Sequence, residues 1–549
     1  MRVRSGASRR ASLAHAASLA VGFVVLLLEN RSQWFMGDDW EFVVDRGLGH
    51  ARLSIWQPHN EHWSTVPVLV YRFLLTTVGL GSYLPWVVPV LLAHLAVATF
   101  LWRIMLVSGV GEWTATWLVA AFVVVGAGAE NLLWAFQLGF VGSLAFGLAA
   151  LYVELVAAIP RSRASTALVW TLLVLGLASS SIGDPMVAVV AAAALRRGWR
   201  SAAITVSVPA AAFLTWYELV GKHAHSADFS ASRTTLPQLP DFVWDGITTA
   251  LTRWTGVPGS GALLVIIAGG SAAMMWPARS ERSGALACAF GAPVLMILIG
   301  YGRLKLGVNE SEASRYAYLI IALLLPAMAV ALSAALRANR PEAGVSLVVA
   351  GCLAATGIGQ LVTRARDEAT REHAMRVTIV GSFDLLKAGG DLLTVQVEPT
   401  FNPDVTTDSL RTLLRHGNAP SGRVTEGQLL DVQAQEQLTV ATTDPGVAPM
   451  SLAGLAPGVT GRAVNGCVKV TASGPAQQVA LSVRGAASAV QVMNAVAVHA
   501  FVSPVSGTAP VTVGRDLTVT AGAWLESTAT DRNIVLSLPR GDVTLCGLG

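Results

Sequence analysis

The stretch LAHAASLAVGFVVLLL, residues 13–28, decides the class of this protein. It is apolar almost throughout and follows a basic N-terminus, a combination typical of either a signal peptide or a first membrane-spanning helix. The next residues, Glu29 to Trp34, contain no small-residue cleavage site. The run is therefore predicted to stay in the protein as its first transmembrane helix.

The composition extends this interpretation to most of the chain. Of 549 residues, 53% are hydrophobic and only 13% are charged, whereas soluble domains carry about 25% charged residues. A helix needs about 20 apolar residues to cross the hydrocarbon core of a bilayer. Windows of this kind predict a polytopic α-helical membrane protein with eleven spans, over residues 13–30, 85–107, 113–129, 136–158, 167–182, 185–197, 201–220, 260–277, 284–301, 316–336 and 344–362.

The distribution of Lys and Arg predicts the orientation. These residues concentrate in alternate short loops, which identifies those loops as cytoplasmic. They are Arg2, Arg4, Arg9, Arg10, Arg103, Arg161, Arg163, Arg196, Arg197, Arg200, Arg279, Arg282, Arg337 and Arg340. The N-terminus is then cytoplasmic, the loops 31–84, 221–259 and 302–315 face outward, and an odd number of spans places the C-terminal region outside. Residues 64–80 are expected to form a helix along the outer surface, because a span there would invert every later loop.

The chain is expected to divide at about residue 362 into a transmembrane domain, residues 1–362, and a polar C-terminal part. Residues 363–395 are predicted to form a helical connector, and a loop is expected around residues 399–409. Alternating, β-branched segments such as Gln478–Val483 follow, which predicts an extracytoplasmic all-β sandwich or jelly roll over residues 396–549. Such a domain could bind carbohydrate.

The four cysteines fall into two groups. Cys288 and Cys352 lie within predicted helices, where buried thiols are expected. Cys467 and Cys546 lie in the C-terminal domain, and an extracytoplasmic compartment is where such a pair is oxidised. A Cys467–Cys546 disulfide is predicted.

The first long external loop contains the strongest candidate for chemistry. The stretch Gly37–Glu41 reads GDDWE and places two adjacent carboxylates a few residues beyond the first apolar run. Carboxylates are costly to keep near lipid, so such a pair is a functional candidate. Further ionisable residues are predicted on the same side of the membrane: His59, Glu61, His62, Glu130, Glu310, Arg315 and Tyr316.

These motifs resemble those of the GT-C superfamily of integral-membrane glycosyltransferases. The resemblance is carried by Gly37–Trp40, by Asn60-Glu61-His62 in the same loop and by Ser314-Arg315-Tyr316, and it covers the membrane region. It implies inverting transfer of a sugar from a polyprenyl-phosphate donor to a glycan or lipid acceptor of the cell envelope, outside the cytoplasmic membrane. The partners so implied are the lipid-linked sugar, the acceptor and the bilayer.

The resemblance also implies roles for single residues. Asp39 or Asp38 would be the general base, with Asp39 preferred and the other carboxylate orienting the acceptor or binding a metal. Arg315 would bind the donor phosphate, helped by Tyr316 or Tyr318; the alternative is that Arg315 reaches towards the membrane interface. Arg303 and Lys305 are second choices for the phosphate.

Substrate binding is predicted for Trp40, Glu41, His59, Glu61 and His62. The spacing of the two histidines and Glu61 would suit a divalent cation only if this segment were helical. Hydrogen bonding to substrate and plain loop structure are the alternatives. Trp40 could stack on a sugar ring or anchor the chain at the interface. No motif demands a cofactor.

The competing hypothesis is a non-catalytic carrier, flippase or scaffold for lipid-linked saccharides. A carrier should show polar residues at mid-membrane and paired half-helices, and only His94 and Gln137 approach this pattern. A hydrolase is disfavoured because no nucleophile motif is present. Nucleic-acid binding is not expected, since the net charge is only +4 and no basic patch is interleaved with aromatics.

Overall fold

The structure is a computed structural model that describes residues 7–47, 53–158, 161–223, 230–275, 281–337, 342–483, 485, 487–505 and 514–549. Arg2, Arg4, Arg279 and Arg340, used above to predict the orientation, lie outside these residues. The chain forms two compact units. Unit 1 comprises Met1–Gln33, Arg46–Thr76 and Tyr83–Thr370, and unit 2 comprises Trp34–Asp45, Thr77–Ser82 and Arg371–Gly549.

Unit 1 is helical. Its helices are α1 (Arg9–Asn30), α3 (Thr65–Thr77), α4 (Leu84–Val107), α5 (Glu112–Val123), α6 (Glu130–Leu133), α7 (Leu138–Val156), α8 (Arg163–Leu177), α9 (Gly183–Ala194), α10 (Trp199–Leu219), α11 (Leu239–Thr255), α12 (Ser260–Met275), α13 (Ser283–Arg303), α14 (Ser314–Arg337) and the first part of α15 (Glu342–Lys387). The short helix α2 (Asp38–Val44) belongs to unit 2. The predicted helix at residues 64–80 is present as α3.

The prediction of eleven spans is wrong. Within the described residues, seven helices are long and apolar enough to cross a membrane, or eight if one bent pair counts as a span. The seven cover Arg9–Asn30, Leu84–Val107, Ala135–Val156, Trp199–His223, Ser283–Leu306, Ser314–Leu336 and Ala343–Lys387. Helices α5 and α9 have 12 residues each, about 18 Å, well short of the roughly 30 Å hydrocarbon core.

One predicted span is broken by a close approach of two backbones. The run 113–129 is apolar throughout, yet α5 stops at Val123 and a 3-10 turn follows at Gly126–Gly128. A Cβ atom on Gly126 would lie 2.1 Å from the carbonyl oxygen of Gly357 on α15. The backbones of these two segments are therefore in contact at two glycines, which have no side chains. At this point the 3-10 turn takes the place of further α-helix.

A second predicted span, 260–277, is one arm of a bent pair. Residues Leu236–Thr255 and Ser260–Ala273 meet at 108° across a short break. Gly256, with φ +72°, forms the left-handed C-cap of α11 at that bend. This geometry is that of a broken span or of a re-entrant loop.

Unit 2 contains the predicted β domain, formed by two packed sheets. Its strands are β3 (Leu438–Ala441), β4 (Ala448–Pro449), β5 (Ser451–Leu455), β6 (Val459–Val464), β7 (Cys467–Ala472), β8 (Gln477–Ser482), β9 (Ser488–Val492), β10 (Val496–Pro504), β11 (Arg515–Val519), β12 (Ala523–Ser527), β13 (Arg532–Leu538) and β14 (Gly541–Cys546). One sheet has the order β11-β10-β13-β8-β5 and the other β3-β12-β9-β14-β7-β6. Among the residues that the structure describes, all pairings are antiparallel except that of β4 with β9.

The alternation seen in the sequence supplies the sandwich core. Inward residues of both sheets, such as Leu481 and Ile534 from one and Val490 and Leu525 from the other, join a single aliphatic cluster. The region before the sandwich is not all-β, however. It holds a two-stranded sheet, β1 (Gln396–Glu398) and β2 (Asn402–Thr406), and two helices, α16 (Thr407–Arg415) and α17 (Glu426–Glu436). Strand β2 and the start of α16 replace most of the predicted loop.

The predicted disulfide is confirmed. Cys467 and Cys546 are opposite each other in the β7–β14 pair, with Cα atoms 4.2 Å apart. The expectation for the other two cysteines is half right, because Cys288 is buried and Cys352 is exposed on α15.

Candidate functional site

The acidic pair begins helix α2 in unit 2. Asp39 is fully buried, and its Oδ2 accepts a hydrogen bond from the backbone N–H of Met36 at 3.3 Å, while Asp38 is half-buried. Gly37, with φ +53°, turns the chain into the helix and donates its N–H to Oδ1 of Asn402 at 2.7 Å. The two carboxylates are therefore in different environments, and Asp38 is the more accessible.

Trp40 and Glu41 share this helix. Trp40 is fully buried, with ring centroids 5.6 Å from Trp34 and 5.8 Å from Phe35. The backbone N–H of Trp34 donates to Glu372 at 2.6 Å. Trp40 thus contributes to packing in this structure, whereas Glu41 is half-buried on the first turn.

The other predicted residues lie in unit 1. The segment from His59 to His62 is a tight turn in which the two histidines exchange backbone hydrogen bonds of 3.0 and 2.8 Å. Asn60 takes φ +50° at its tip. The turn is not helical, so the spacing suited to a metal does not arise. Among the residues that the structure describes, no group of three or more His, Cys, Asp or Glu could hold a metal ion.

Glu61 and His62 contact groups from distant parts of the chain. The carboxylate of Glu61 forms an ion pair with Arg303, at the end of α13, with Nη2 to Oε1 at 2.5 Å. Nδ1 of His62 lies 2.6 Å from Oγ of Ser181. His59 is buried against Phe136 with ring centroids 5.0 Å apart.

Arg315 is the centre of a second group. Its Nη1 lies 3.0 Å from Oε1 of Glu130, and its Nη2 forms an ion pair with Glu310. Its guanidinium carbon lies 5.0 Å from the ring centre of Tyr316. The side chain of Arg315 is 29% exposed.

Tyr316 connects the two groups. It interacts electrostatically with Arg303 as well as with Arg315, and it is almost fully buried. Tyr318, the other predicted donor, is instead engaged elsewhere, since its hydroxyl lies 2.8 Å from Nδ1 of His94 inside the helical unit. The structure therefore brings together the predicted Glu61, His62, Arg315 and Tyr316 within unit 1, and places the acidic pair in unit 2.

An apolar groove of about 520 Å³ lies along the bent pair. Its wall is almost free of polar surface. It is lined by Leu236, Leu239, Pro240, Val243, Trp244, Ile247, Val265 and Ile297.

Three residues of these groups had no role assigned from the sequence. Glu130 and Glu310 pair with Arg315, and Ser181 contacts His62. Glu130 and Glu310 carried one signal, their position among acids at predicted outer helix ends. Ser181 carried none, because a serine before a helix is ordinary.

Comparison of the sequence with models of known protein families gives no match, and comparison with curated proteins gives none either.

Proposed function

We propose that this protein is a membrane glycosyltransferase that moves a sugar from a polyprenyl-phosphate donor to an extracytoplasmic glycan or lipid acceptor. The observation that carries the proposal is the polar cluster of unit 1. Glu61, Arg303 and the adjacent pair Arg315-Tyr316 come from three segments and converge in a unit built of apolar helices. Ionisable groups are expensive in such surroundings and tend to mark functional sites.

The chemistry requires two kinds of group. A carboxylate of the Asp38–Asp39 pair takes the proton from the acceptor hydroxyl as its oxygen bonds to the anomeric carbon. The bond from that carbon to the phosphate oxygen breaks, and the leaving phosphate keeps the electron pair. Guanidinium groups such as those of Arg303 and Arg315 would stabilise the developing charge. The apolar groove is of a kind that suits a prenyl chain.

The proposed orientation has a cytoplasmic N-terminus and an extracytoplasmic β domain. Seven complete spans, with the bent pair re-entrant, would put the two ends of the chain on opposite sides. The disulfide favours an oxidising compartment for unit 2. Eight spans would place both ends on one side.

The test is transfer activity of the full-length protein with a polyprenyl-phosphate sugar donor. Asp38→Asn and Asp39→Asn are made separately, because each keeps the shape of the side chain but removes the base. At least one should lower kcat by about 10²-fold or more. Asp444→Asn, in the exposed loop after β3, is the matched control and should keep full activity. Full activity in both variants would refute the mechanism.

The interrupted helices favour a second candidate, a carrier of lipid-linked saccharides. Between α5 and α7 the chain is broken twice, and buried amides fill the break: Asn131 donates to Gln137 at 3.3 Å and Asn30 to the carbonyl of Leu132 at 2.9 Å. Broken helices with polar groups are typical of transport sites. Movement of a fluorescent lipid-linked sugar across proteoliposomes, unaffected by Asp38→Asn or Asp39→Asn and without any transfer, would select this function.

A further inference from the structure

The first observation concerns the proton on His62. Two groups approach Nδ1 of this ring, the hydroxyl of Ser181 at 2.6 Å and the backbone N–H of Ser181 at 3.4 Å. A backbone N–H can only donate, so Nδ1 is the acceptor. Neutral His62 then carries its proton on Nε2. Ser181 is thus a positioning residue that fixes the tautomer.

The second observation concerns what Nε2 faces. It lies 4.0 Å from Oε1 of Glu61, the same oxygen that lies 2.5 Å from Nη2 of Arg303. A guanidinium and an imidazole N–H therefore converge on one carboxylate oxygen. The position is open beside Gly302, where a Cβ atom would lie 3.9 Å from that oxygen. This arrangement of donors is suited to an oxyanion.

The third observation is that Glu61 is the most exposed carboxylate in the two groups. Its side chain is 42% exposed, whereas Arg303 and His62 are 16% and 12% exposed. The carboxylates on Arg315 are more enclosed, at 13% for Glu130 and 24% for Glu310. Solvent weakens an ion pair whose carboxylate is well exposed, so Glu61 is the least costly of the three carboxylates to displace. Displacing the two partners of Arg315 would cost more.

We infer that Arg303 and His62 form a binding site for a phosphate group, and that the carboxylate of Glu61 occupies it as an internal competitor when no ligand is bound. Arg303 supplies two parallel N–H donors to phosphate oxygens and His62 supplies Nε2–H. The ligand class is a phosphate monoester or diester, either free or attached to a lipid. The inference rests on the proposed function only for its relevance to the donor; binding itself is independent of transfer.

The direction in which one substitution changes the affinity for phosphate tests this inference. In the full-length protein, Glu61→Gln removes the competing charge and should tighten binding by about tenfold, because a larger fraction of the protein has an open site. If Glu61 instead contacted the ligand favourably, the same substitution would weaken binding. Arg303→Gln should weaken binding at least tenfold. Glu312→Gln, which removes a similarly exposed carboxylate from an ion pair with Arg253, is the matched control and should change nothing.

The probes are inorganic phosphate and farnesyl phosphate, each measured by calorimetry at constant ionic strength. Tightening of both by Glu61→Gln identifies a site for phosphate itself, and tightening of farnesyl phosphate alone identifies a lipid-linked ligand. Ser181→Ala should weaken binding several-fold, and Ser181→Thr should restore it. His62→Gln, whose amide can donate from the Nε2 position, should bind better than His62→Asn.

The inference is overturned if no form of the protein binds either probe, or if Glu61→Gln leaves binding unchanged or weaker. If Arg303→Gln fails to fold, the inference is still tested by the tighter phosphate binding expected for Glu61→Gln and by the unchanged binding expected for Glu312→Gln. Loss of transfer in the Asp38 or Asp39 variants with unaltered phosphate binding would uphold both proposals. If the wild type binds phosphate as expected but transfers no sugar, only the proposed function is refuted.

Discussion

The β sandwich of unit 2 and the helical unit 1 differ in the side chains that they bury. The apolar core cluster of the β sandwich consists of aliphatic side chains and one methionine, Met450, and buried polar side chains beside it, such as Ser488 and Ser527, are uncharged. Unit 1 instead buries charge, most clearly at Glu154 near the end of α7, whose fully buried carboxylate contacts Arg161 at 2.5 Å and Arg197 at 3.0 Å. In water, the burial of apolar surface drives a domain to fold. Helices in lipid gain little from such burial, because the lipid chains are themselves apolar. Polar contacts can therefore add to packing in unit 1, where Glu61, Arg303 and Arg315 lie, whereas the acidic pair lies in unit 2.

The largest expected effect comes from breaking that buried charge group. Glu154→Gln leaves two guanidinium groups facing each other without the carboxylate and should destabilise unit 1 by about 3–5 kcal/mol. Thermal unfolding in detergent measures it. Glu312→Gln breaks an exposed pair, at 41% and 40% exposure, and should cost less than about 1 kcal/mol. Equal shifts for both variants would show that the buried charge group stabilises unit 1 no more than an exposed ion pair does.

The sandwich should depend on its disulfide instead. Cys467 and Cys546 close a loop with a sequence separation of 79, and β6 beside them is exposed at five successive residues, so little core holds this end. Replacing both cysteines by serine should cost about 2–4 kcal/mol. The rate of proteolytic cleavage within β6–β7 of the full-length protein measures this loss of stability. Cys288→Ser and Cys352→Ser should leave that rate unchanged, and faster cleavage in either would contradict the assignment.

Apolar periodicity could predict where the helices and strands lie, but not how long the helices are. The run 113–129 looks continuous, yet α5 ends where Gly126 meets Gly357, a contact between segments more than 200 residues apart that no local pattern encodes. The two missed helices had a readable signal. Thr425 and Gln428 form a capping box at the start of α17, as Thr406 and Ser409 do for α16.

The candidate site was predictable by residue type but not by partner. An acid or arginine beside an apolar run is conspicuous, so Glu61, His62 and Arg315 could be selected from the sequence. Which carboxylate meets which guanidinium depends on the packing of several helices. The sequence therefore favours Arg315 over Arg303 as the phosphate ligand, although Glu61, the partner of Arg303, is more exposed than Glu130, a partner of Arg315.

A buried acid also lies next to the sandwich, as Asp39 and Glu372 do elsewhere in unit 2. Glu436, at the end of α17, is buried, and burial raises its pKa to about 7, although Thr394 and Arg515 act in the opposite direction. The folded state thus favours the protonated form. Its contribution to stability is complete below about pH 4.5 and is lost as the pH rises through about 7, up to about 3 kcal/mol in all.

Glu436→Gln removes that dependence, because the amide is neutral at every pH. The variant should match the wild type at pH 4 and exceed it in stability at pH 8. Hydrogen exchange of peptides spanning residues 430–440, compared between the two proteins at each pH, measures the difference. Parallel pH profiles would mean that Glu436 is not buried in its neutral form.

The smallest effect tests how closely the helices of unit 1 approach. A Cβ atom at position 357 would lie 2.3 Å from the carbonyl oxygen of Val124, so Gly357→Ala must separate α15 from the turn after α5 and should cost about 1–3 kcal/mol. Gly359, two residues on, has open space around it. Gly359→Ala should therefore be neutral or stabilise α15 by up to about 1 kcal/mol, since alanine favours helix. Thermal unfolding of the two variants in the same detergent gives opposite signs if close backbone contact, and not lipid alone, holds these helices together.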